Sequence, residues 1–216
     1  MPINTRFREI DSLRGLAVLL MVMVHAAATW NPTTASQTSA LAYIVAGLGG
    51  LAAPLFVTIF GWGMYKSKSP RKSILIKASA LLILQYTVNL SSPHLYEPYS
   101  PGILSLFAIL LVTRPLIMKS IESTNKIFIF SSFMIMMFII NGYLFQFQGT
   151  NNWNSRISAN GPLEIIELAL FSGTYPLFPW IIFCVVGAYL GSLVAGGGKT
   201  LPKNNATLSV IVIGIS

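Results

Sequence analysis

Three ionisable side chains lie on the first apolar segment of the chain, with types and spacing suited to chemistry. They are Asp11, Arg14 and His25, in a stretch from residue 7 to residue 25 that is otherwise mostly apolar. At about 100° per residue, a helix places Arg14 and His25 about 20° apart around its axis, and Asp11 about 40° from His25. An ionisable group in hydrocarbon costs at least about 2.5–3.5 kcal/mol, so this stripe is predicted to face a protein interior or a wet cavity.

His25 is the candidate base of the stripe. An imidazole gains and loses its proton near neutral pH, so His25 could take the proton of an acceptor hydroxyl or amine. The competing interpretation is structural: Asp11 and Arg14 cap the helix at the membrane interface, and His25 is a packed, hydrogen-bonded histidine. The residue types alone leave both interpretations open.

Two further groups could approach His25 from other parts of the chain. His94 and Glu97 share one loop, and the alternative interpretation for both is a solvated loop. Trp180 follows two prolines, Pro176 and Pro179, that loosen the first turn of a later apolar segment. Trp180 is therefore predicted either to belong to an interfacial aromatic belt or to line a cavity, where irregular backbone is tolerated.

A cluster of basic residues, Lys66, Lys68, Arg71 and Lys72, separates the second apolar segment from the third. One interpretation is contact with anionic lipid headgroups, worth about 1 kcal/mol per charge. The other is a clamp for the phosphates of a nucleotide-like donor that arrives from the cytosol. No metal site is predicted, because two histidines, one cysteine and six carboxylates offer no ligand spacing.

The elements that must position these residues are membrane-spanning helices. The chain is 54% hydrophobic and only 9% charged, with a mean hydropathy of +0.68, whereas average globular chains are about 25% charged. Six apolar segments approach the roughly 20 residues that cross a bilayer. We therefore predict an all-α, polytopic transmembrane helical bundle with six full spans, at about residues 13–30, 40–65, 73–90, 102–118, 127–147 and 175–195.

The two ends of the chain carry further expectations. Residues 206–216 begin a seventh apolar run, which predicts that residues 1–216 form one transmembrane domain that is incomplete at its C-terminus. The alternative is a short tail that lies against the bundle. With a cytoplasmic N-terminus, Arg156 is the only basic residue outside, so 13 of the 14 lie inside, as the positive-inside rule requires for a multi-pass protein of the cell membrane. Basic residues in loops between apolar spans argue against nucleic acid as a partner.

Small and amide residues give weaker signals. Gly47, Gly49 and Gly50, and the pair Gly187 and Gly191, have the spacing of close helix–helix packing. Asn89 and Asn205 lie in Asn-x-Ser/Thr sequons, which carry no functional prediction here.

Several motifs together resemble a known family. They are Arg8-x-x-Asp11-x-x-Arg14-Gly15 before an apolar run, Ala53-Pro-Leu-Phe-Val, Gly61, Gly102-Ile-Leu, and Tyr175-Pro-Leu-Phe-Pro-Trp180 with Gly187. This pattern resembles the heparan-α-glucosaminide N-acetyltransferase-like transmembrane acyltransferases. In the wider acyltransferase-3 superfamily, an Arg…Arg-apolar-His first helix is similar to Arg8, Arg14 and His25. The resemblance covers most of the chain.

The resemblance implies acetyl transfer from cytosolic acetyl-CoA to a sugar amine or hydroxyl on the outer side. His25 would act as base or transient acyl acceptor, and Asp11 and Arg14 would form an ion pair near the donor. The CoA phosphates would engage Lys66, Lys68, Arg71, Lys72 and Lys77, the last standing where relatives often have Arg. In the heparan branch the proposed catalytic histidine lies in the loop after the first helix. Residues 31–39 of this chain contain no histidine.

On this interpretation His94, Glu97 and Trp180 would bind the acceptor, a glycan or amino sugar, with membrane lipid around the bundle. The sequence leaves a homo-oligomer open. Two other functions compete: a transporter or flippase-like bundle for a glycan or lipid, and an inactive fragment of the acyltransferase.

Overall fold

The computed structural model describes residues 7–29, 39–93, 96–122, 125–144, 159 and 161–194. Throughout these ranges the regular structure is helical, so the predicted all-α fold is confirmed. The helices are α1 (Arg8–Thr29), α2 (Ala40–Lys66), α3 (Arg71–Ser91), α4 (Ile103–Ile121), α5 (Lys126–Leu144), α6 (Pro162–Glu167), which continues as a π-helical turn (Leu168–Ser172), and α7 (Leu177–Val194).

Helices of membrane-spanning length account for most of the described residues. By length and composition, the four helices α1 to α4 can each cross a bilayer. The pair formed by α6 with its π-helical turn and α7 adds a fifth candidate if it counts as one span bent by 51°. Helix α5 is 19 residues long and coincides with the predicted segment 127–147. The total of six spans stays a prediction, and residues 206–216 lie outside the described ranges.

Helices α1 to α4, which follow one another along the chain, run in alternating directions, and this gives the bundle two chemically different ends. The start of α1 meets the end of α2, where the Phe7 and Trp62 rings are edge-on with centroids 5.7 Å apart. Farther along, Val24 of α1 packs on Gly49 of α2. We call the end that contains Phe7, the end of α2 and the start of α3 the basic end, and the other the distal end.

The core lies between α2, α4 and α7. Its most deeply buried apolar side chains are Val57 of α2, Leu106 and Leu110 of α4, and Cys184 and Ala188 of α7. Met64 and Ile117 extend the same cluster toward the basic end.

Glycines allow α2 and α7 to pack backbone against backbone. A Cβ at Gly61 would collide with the backbone of Cys184, and one at Gly187 would collide with the backbone of Thr58. The predicted packing role is confirmed for Gly187, for Gly191, which lies against Tyr65, and for Gly49. It is wrong for Gly47 and Gly50: among the described residues nothing lies within 4 Å of a Cβ at either, because they face away from the helix that contacts Gly49.

The start of α7 is irregular, as its two prolines predict. Phe178 has φ −100° and ψ 118°, outside the helical region, and the Phe178–Pro179 peptide is cis. The helices on either side of residues 173–176 are bent by 51° relative to each other.

Candidate functional site

Asp11 and Arg14 form the predicted ion pair at the basic end. The Arg14 Nη1 atom lies 3.2 Å from Asp11 Oδ1, with side chains 52% and 29% exposed respectively. Residues three apart on a helix are neighbours, so the pair follows directly from the sequence spacing. Arg14 also approaches the last turns of α2, because a Cβ at Gly63 would lie 3.8 Å from its Nη2 atom.

His25 lies near the distal end of α1, four residues before Thr29, and its side chain is exposed. Its Nδ1 atom is 2.8 Å from the carbonyl oxygen of Met21. A carbonyl only accepts hydrogen bonds, so Nδ1 must donate and the lone pair of the neutral ring lies on Nε2. This backbone contact selects the tautomer that a base acting through Nε2 requires.

The three residues of the predicted catalytic stripe do not form one cluster. Eleven residues of helix separate Arg14 from His25, a rise of about 16 Å. The side chains of Arg14 and His25 are exposed and that of Asp11 is half-buried, whereas α1 buries Ile10, Ala17 and Leu20. That the stripe faces a protein interior or a wet cavity stays a prediction. The stripe lies beside the contact between α1 and α2. The Asp11–Arg14 ion pair lies at the basic end of the stripe, and the candidate base His25 lies near its distal end.

The five basic residues assigned to donor phosphates fall into two groups. The Lys66 Nζ atom lies over the rings of Phe7 and Trp62, 5.5 and 5.7 Å from their centroids. The Lys77 Nζ atom donates to the Ser69 hydroxyl at 3.3 Å. Lys68, Arg71 and Lys72 are exposed and have no hydrogen-bond or ring partner among the described residues.

Arg114 is a residue of this end that sequence reasoning missed. From α4 its guanidinium donates to three backbone carbonyls: Nε to Met64 at 3.2 Å, Nη1 to Ser69 at 3.4 Å, and Nη2 to Ser67. It therefore closes the C-terminal end of α2 and the loop of residues 67–70, which we call the serine loop. The available signal was a lone arginine inside the apolar segment 102–118, a position at which charge is costly.

A buried amide network lies at the distal end and was also missed. Gln85 Nε2 donates to Asn89 Oδ1 at 2.9 Å, and Asn89 Nδ2 donates to the carbonyls of Pro98 and Ser100 at 3.2 and 2.8 Å. The backbone N–H of Leu104 donates to Gln85 Oε1 at 3.1 Å, which caps the start of α4. The signal was two amides four residues apart in an apolar span, where polar groups must find partners.

The structure describes two of the three residues predicted to bind the acceptor. His94 is outside the described residues, whereas Glu97 is half-buried in the loop after α3, where its carbonyl accepts from the N–H of Ser100 at 3.1 Å. The Trp180 ring is edge-on to Tyr175, with centroids 5.2 Å apart. Tyr96 is close enough to Tyr175 for an electrostatic interaction between their phenols. The structure thus brings the Glu97 loop and the start of α7 to the same part of the distal end.

An open, shallow surface region runs along one face of α3 from the basic end. It begins at Arg71 and Lys72 and continues between apolar side chains, Leu75, Ile76, Ala80 and Ile83, with Ser79 among them. Its lining comes from α3 alone, so it is a shallow surface rather than an enclosed cavity. Within the described ranges no three His, Cys, Asp or Glu side chains are grouped so as to hold a metal ion.

Comparison with known proteins identifies the family. The model of the heparan-alpha-glucosaminide N-acetyltransferase catalytic domain matches residues 6–215, which is nearly the whole chain. No curated protein and no solved structure matches the sequence significantly. The match, together with several apolar helices of membrane-spanning length, indicates an acetyltransferase of the membrane. The chain belongs to the heparan-alpha-glucosaminide N-acetyltransferase catalytic-domain family.

Proposed function

We propose that this protein moves an acetyl group from acetyl-CoA, held at the basic end, to a sugar amine or hydroxyl at the distal end. The single observation that carries the proposal is the family match over residues 6–215. On this proposal the basic end faces the cytosol, where the donor is found, and the distal end faces the outer side of the cell membrane. The concentration of basic side chains at one end supports that orientation.

His25 supplies the base in this scheme. As Nε2 takes the proton from the acceptor O–H or N–H, the acceptor atom forms a bond to the thioester carbonyl carbon, the carbon–sulfur bond breaks, and CoA leaves as a thiol after it receives a proton. The hydrogen bond from Nδ1 to Met21 supports this role because it places the ring proton on Nδ1 and the lone pair of the neutral ring on Nε2. In the alternative route Nε2 itself attacks the thioester carbonyl carbon, the carbon–sulfur bond breaks, and CoA leaves as a thiolate that is then protonated. The acceptor next attacks the resulting acetyl-imidazole, whose bond from Nε2 to the acetyl carbon breaks as the acetyl group is transferred.

In this scheme the acetyl donor binds at the basic end and the sugar acceptor binds at the distal end. Donor phosphates at the basic end require the thioester to reach along α1 for about 16 Å from the level of Arg14 to that of His25. The Asp11–Arg14 pair stands where the donor would pass. At the distal end Trp180, Glu97 and His94 would bind the acceptor, and the position of the Trp180 and Tyr175 rings beside the Glu97 loop supports this grouping.

Sealed vesicles that contain the purified protein test this proposal. Radiolabelled acetyl-CoA is added on one side and a panel of amino sugars and neutral sugars on the other, with protein-free vesicles as the control. We expect labelled sugar only when donor and acceptor are on opposite sides and the basic end faces the donor. Movement of an unmodified sugar or lipid without label would instead indicate a transporter, and would contradict the proposal.

A further inference from the structure

We infer that Arg114 is a positioning residue that holds the serine loop so that Lys68, Arg71 and Lys72 contact the phosphates of an anionic donor, whereas Lys66 and Lys77 serve the fold. The inference rests on the proposed function for the identity of the donor. It divides the basic cluster by the contacts that each side chain makes.

The first step is the geometry of Arg114. A guanidinium presents several donors in a rigid plane, and here three of its nitrogen atoms each reach a different carbonyl, those of Met64, Ser67 and Ser69. These carbonyls belong to the last turn of α2 and to the serine loop, where the dipole of a helix C-terminus favours a cation. Lysine has a single ammonium and could not hold three separate carbonyls in the same way.

The second step is the internal order of the serine loop. The Ser67 and Ser69 hydroxyl oxygens are 2.8 Å apart, and the N–H of Ser69 donates to Ser67 Oγ at 3.3 Å. Lys77 adds a hydrogen bond to Ser69 from the second turn of α3. The loop is thus fixed from α4 by Arg114, from α3 by Lys77 and from within by its own serines.

The third step is the set of cations that this arrangement leaves available. The Lys66 ammonium is held over two aromatic rings, and the Lys77 ammonium is bonded to Ser69. Lys68, Arg71 and Lys72 are exposed at the edge of the serine loop, with no partner among the described residues. Three like charges held this close together repel one another, and an anionic group that bridges them relieves the repulsion.

The chemistry that fits is a phosphate or diphosphate, which a CoA thioester and an anionic lipid headgroup both carry. The exposed face of α3 starts at Arg71 and Lys72 and continues as apolar surface, which suits a ligand with a charged head and a less polar arm. We assign the site to the phosphates of the acetyl donor and make the lipid headgroup an outcome of the test.

The main experiment measures the KM for acetyl-CoA, kcat, and binding of CoA to the purified protein by calorimetry. Arg71→Gln is expected to raise the KM for acetyl-CoA and the Kd for CoA about tenfold, with the acceptor KM unchanged. Arg114→Lys is expected to have a comparable effect, and Lys66→Gln a clearly smaller one than Arg71→Gln. Lys119→Gln, a change of one charge on the same helix as Arg114, is the matched control. Equal effects of Lys66→Gln and Arg71→Gln would overturn the division.

Two further measurements distinguish the failure of this inference from the failure of the proposed function. In the Lys68→Cys protein, Arg114→Lys is expected to change the rate of thiol labelling at position 68 severalfold, a readout that needs no substrate. An unchanged rate overturns the positioning role of Arg114, whatever the reaction proves to be.

Vesicles of phosphatidylcholine with and without phosphatidylglycerol distinguish the two phosphate sources. If CoA binding by the wild type is the same in both and is lost in Arg71→Gln, the donor is the ligand. If phosphatidylglycerol binds through the same three cations and CoA does not bind, the site belongs to lipid and the inference is overturned, while acetyl transfer in the vesicle assay can still stand.

Discussion

At each end of the α3–α4 pair a polar side chain holds the carbonyls of a neighbouring loop, but the two side chains differ in charge and burial. At the basic end Arg114 holds the carbonyls of Met64, Ser67 and Ser69, and at the distal end Asn89 holds those of Pro98 and Ser100. Both side chains reach from a helix into a neighbouring loop and replace hydrogen bonds that irregular backbone lacks. One is a half-buried cation, whereas the other is a neutral amide only 1% exposed.

This difference indicates which substrates each end can accept. A neutral amide with its hydrogen bonds satisfied can be buried at small cost, but a guanidinium requires water or polar groups nearby. The basic end therefore keeps an electrostatic field that attracts anions, whereas the loop at the distal end is held by buried neutral amides. The contrast favours a phosphate-bearing donor at the basic end.

Helices α2 and α7 form the core that lies between the basic end and the distal end. The largest expected effect on stability is therefore at the contact between these two helices. Gly187→Ala would drive a methyl group into the backbone of Thr58, so we expect a loss of about 3 kcal/mol or more, measured as the denaturation midpoint in detergent. Gly50→Ala is the matched control. It has open space and should be neutral or stabilising by up to about 1 kcal/mol, because alanine is the better helix former. Similar losses for both would contradict the close packing of α2 and α7.

The distal amide network should be the next most sensitive feature. Asn89→Leu keeps the size of the side chain but leaves Gln85 and the carbonyls of Pro98 and Ser100 without their partner, so we expect a loss of about 2–3 kcal/mol. The readout is the same detergent unfolding assay, with Leu90→Ala, at a position 66% exposed on the same helix, as control. A loss no larger than that of the control would mean that the network does not hold the loop.

Loss of the Arg114 hydrogen bonds at the basic end should reduce the free energy of unfolding less than loss of the Asn89 hydrogen bonds at the distal end. After Arg114→Gln, water can reach the carbonyls of Ser67 and Ser69 because the site is only half-buried, so we expect about 1 kcal/mol. If Arg114→Gln proves more destabilising than Asn89→Leu in parallel unfolding curves, the contrast between a wet end and a dry end is wrong.

The smallest stability effect is expected for the ion pair of α1. Asp11→Asn breaks a surface contact 3.2 Å long, which should change the free energy of unfolding by no more than about 0.5 kcal/mol. If the pair has a role beside the donor, the rate of acetyl transfer by Asp11→Asn should fall by more than the small change in the free energy of unfolding can explain. A proportional loss of both would assign the pair to the fold alone.

The sequence predicts the helices well because the bilayer requires long apolar runs. The predicted segments 40–65 and 73–90 fall within one or two residues of α2, Ala40–Lys66, and α3, Arg71–Ser91. The Asp11–Arg14 pair follows equally from local spacing, since residues three apart on a helix are neighbours.

The missing parts of the prediction depend on contacts between distant residues. Arg114 reaches carbonyls 45 to 50 residues away along the chain, and no local pattern shows that it closes the serine loop. No local pattern shows that Gln85 caps the start of α4, or that Gly50 lies on a face of α2 that meets no neighbouring helix among the described residues.

The rate of acetyl transfer by His25→Gln in native-like membranes tests the central claim most directly. Glutamine keeps a polar side chain at this exposed position but cannot take a proton, and Val22→Ala, 55% exposed on the same helix, is the control. The account predicts a fall in kcat of about 100-fold or more, with membrane insertion and CoA binding unchanged. Transfer by His25→Gln at the wild-type rate would contradict it.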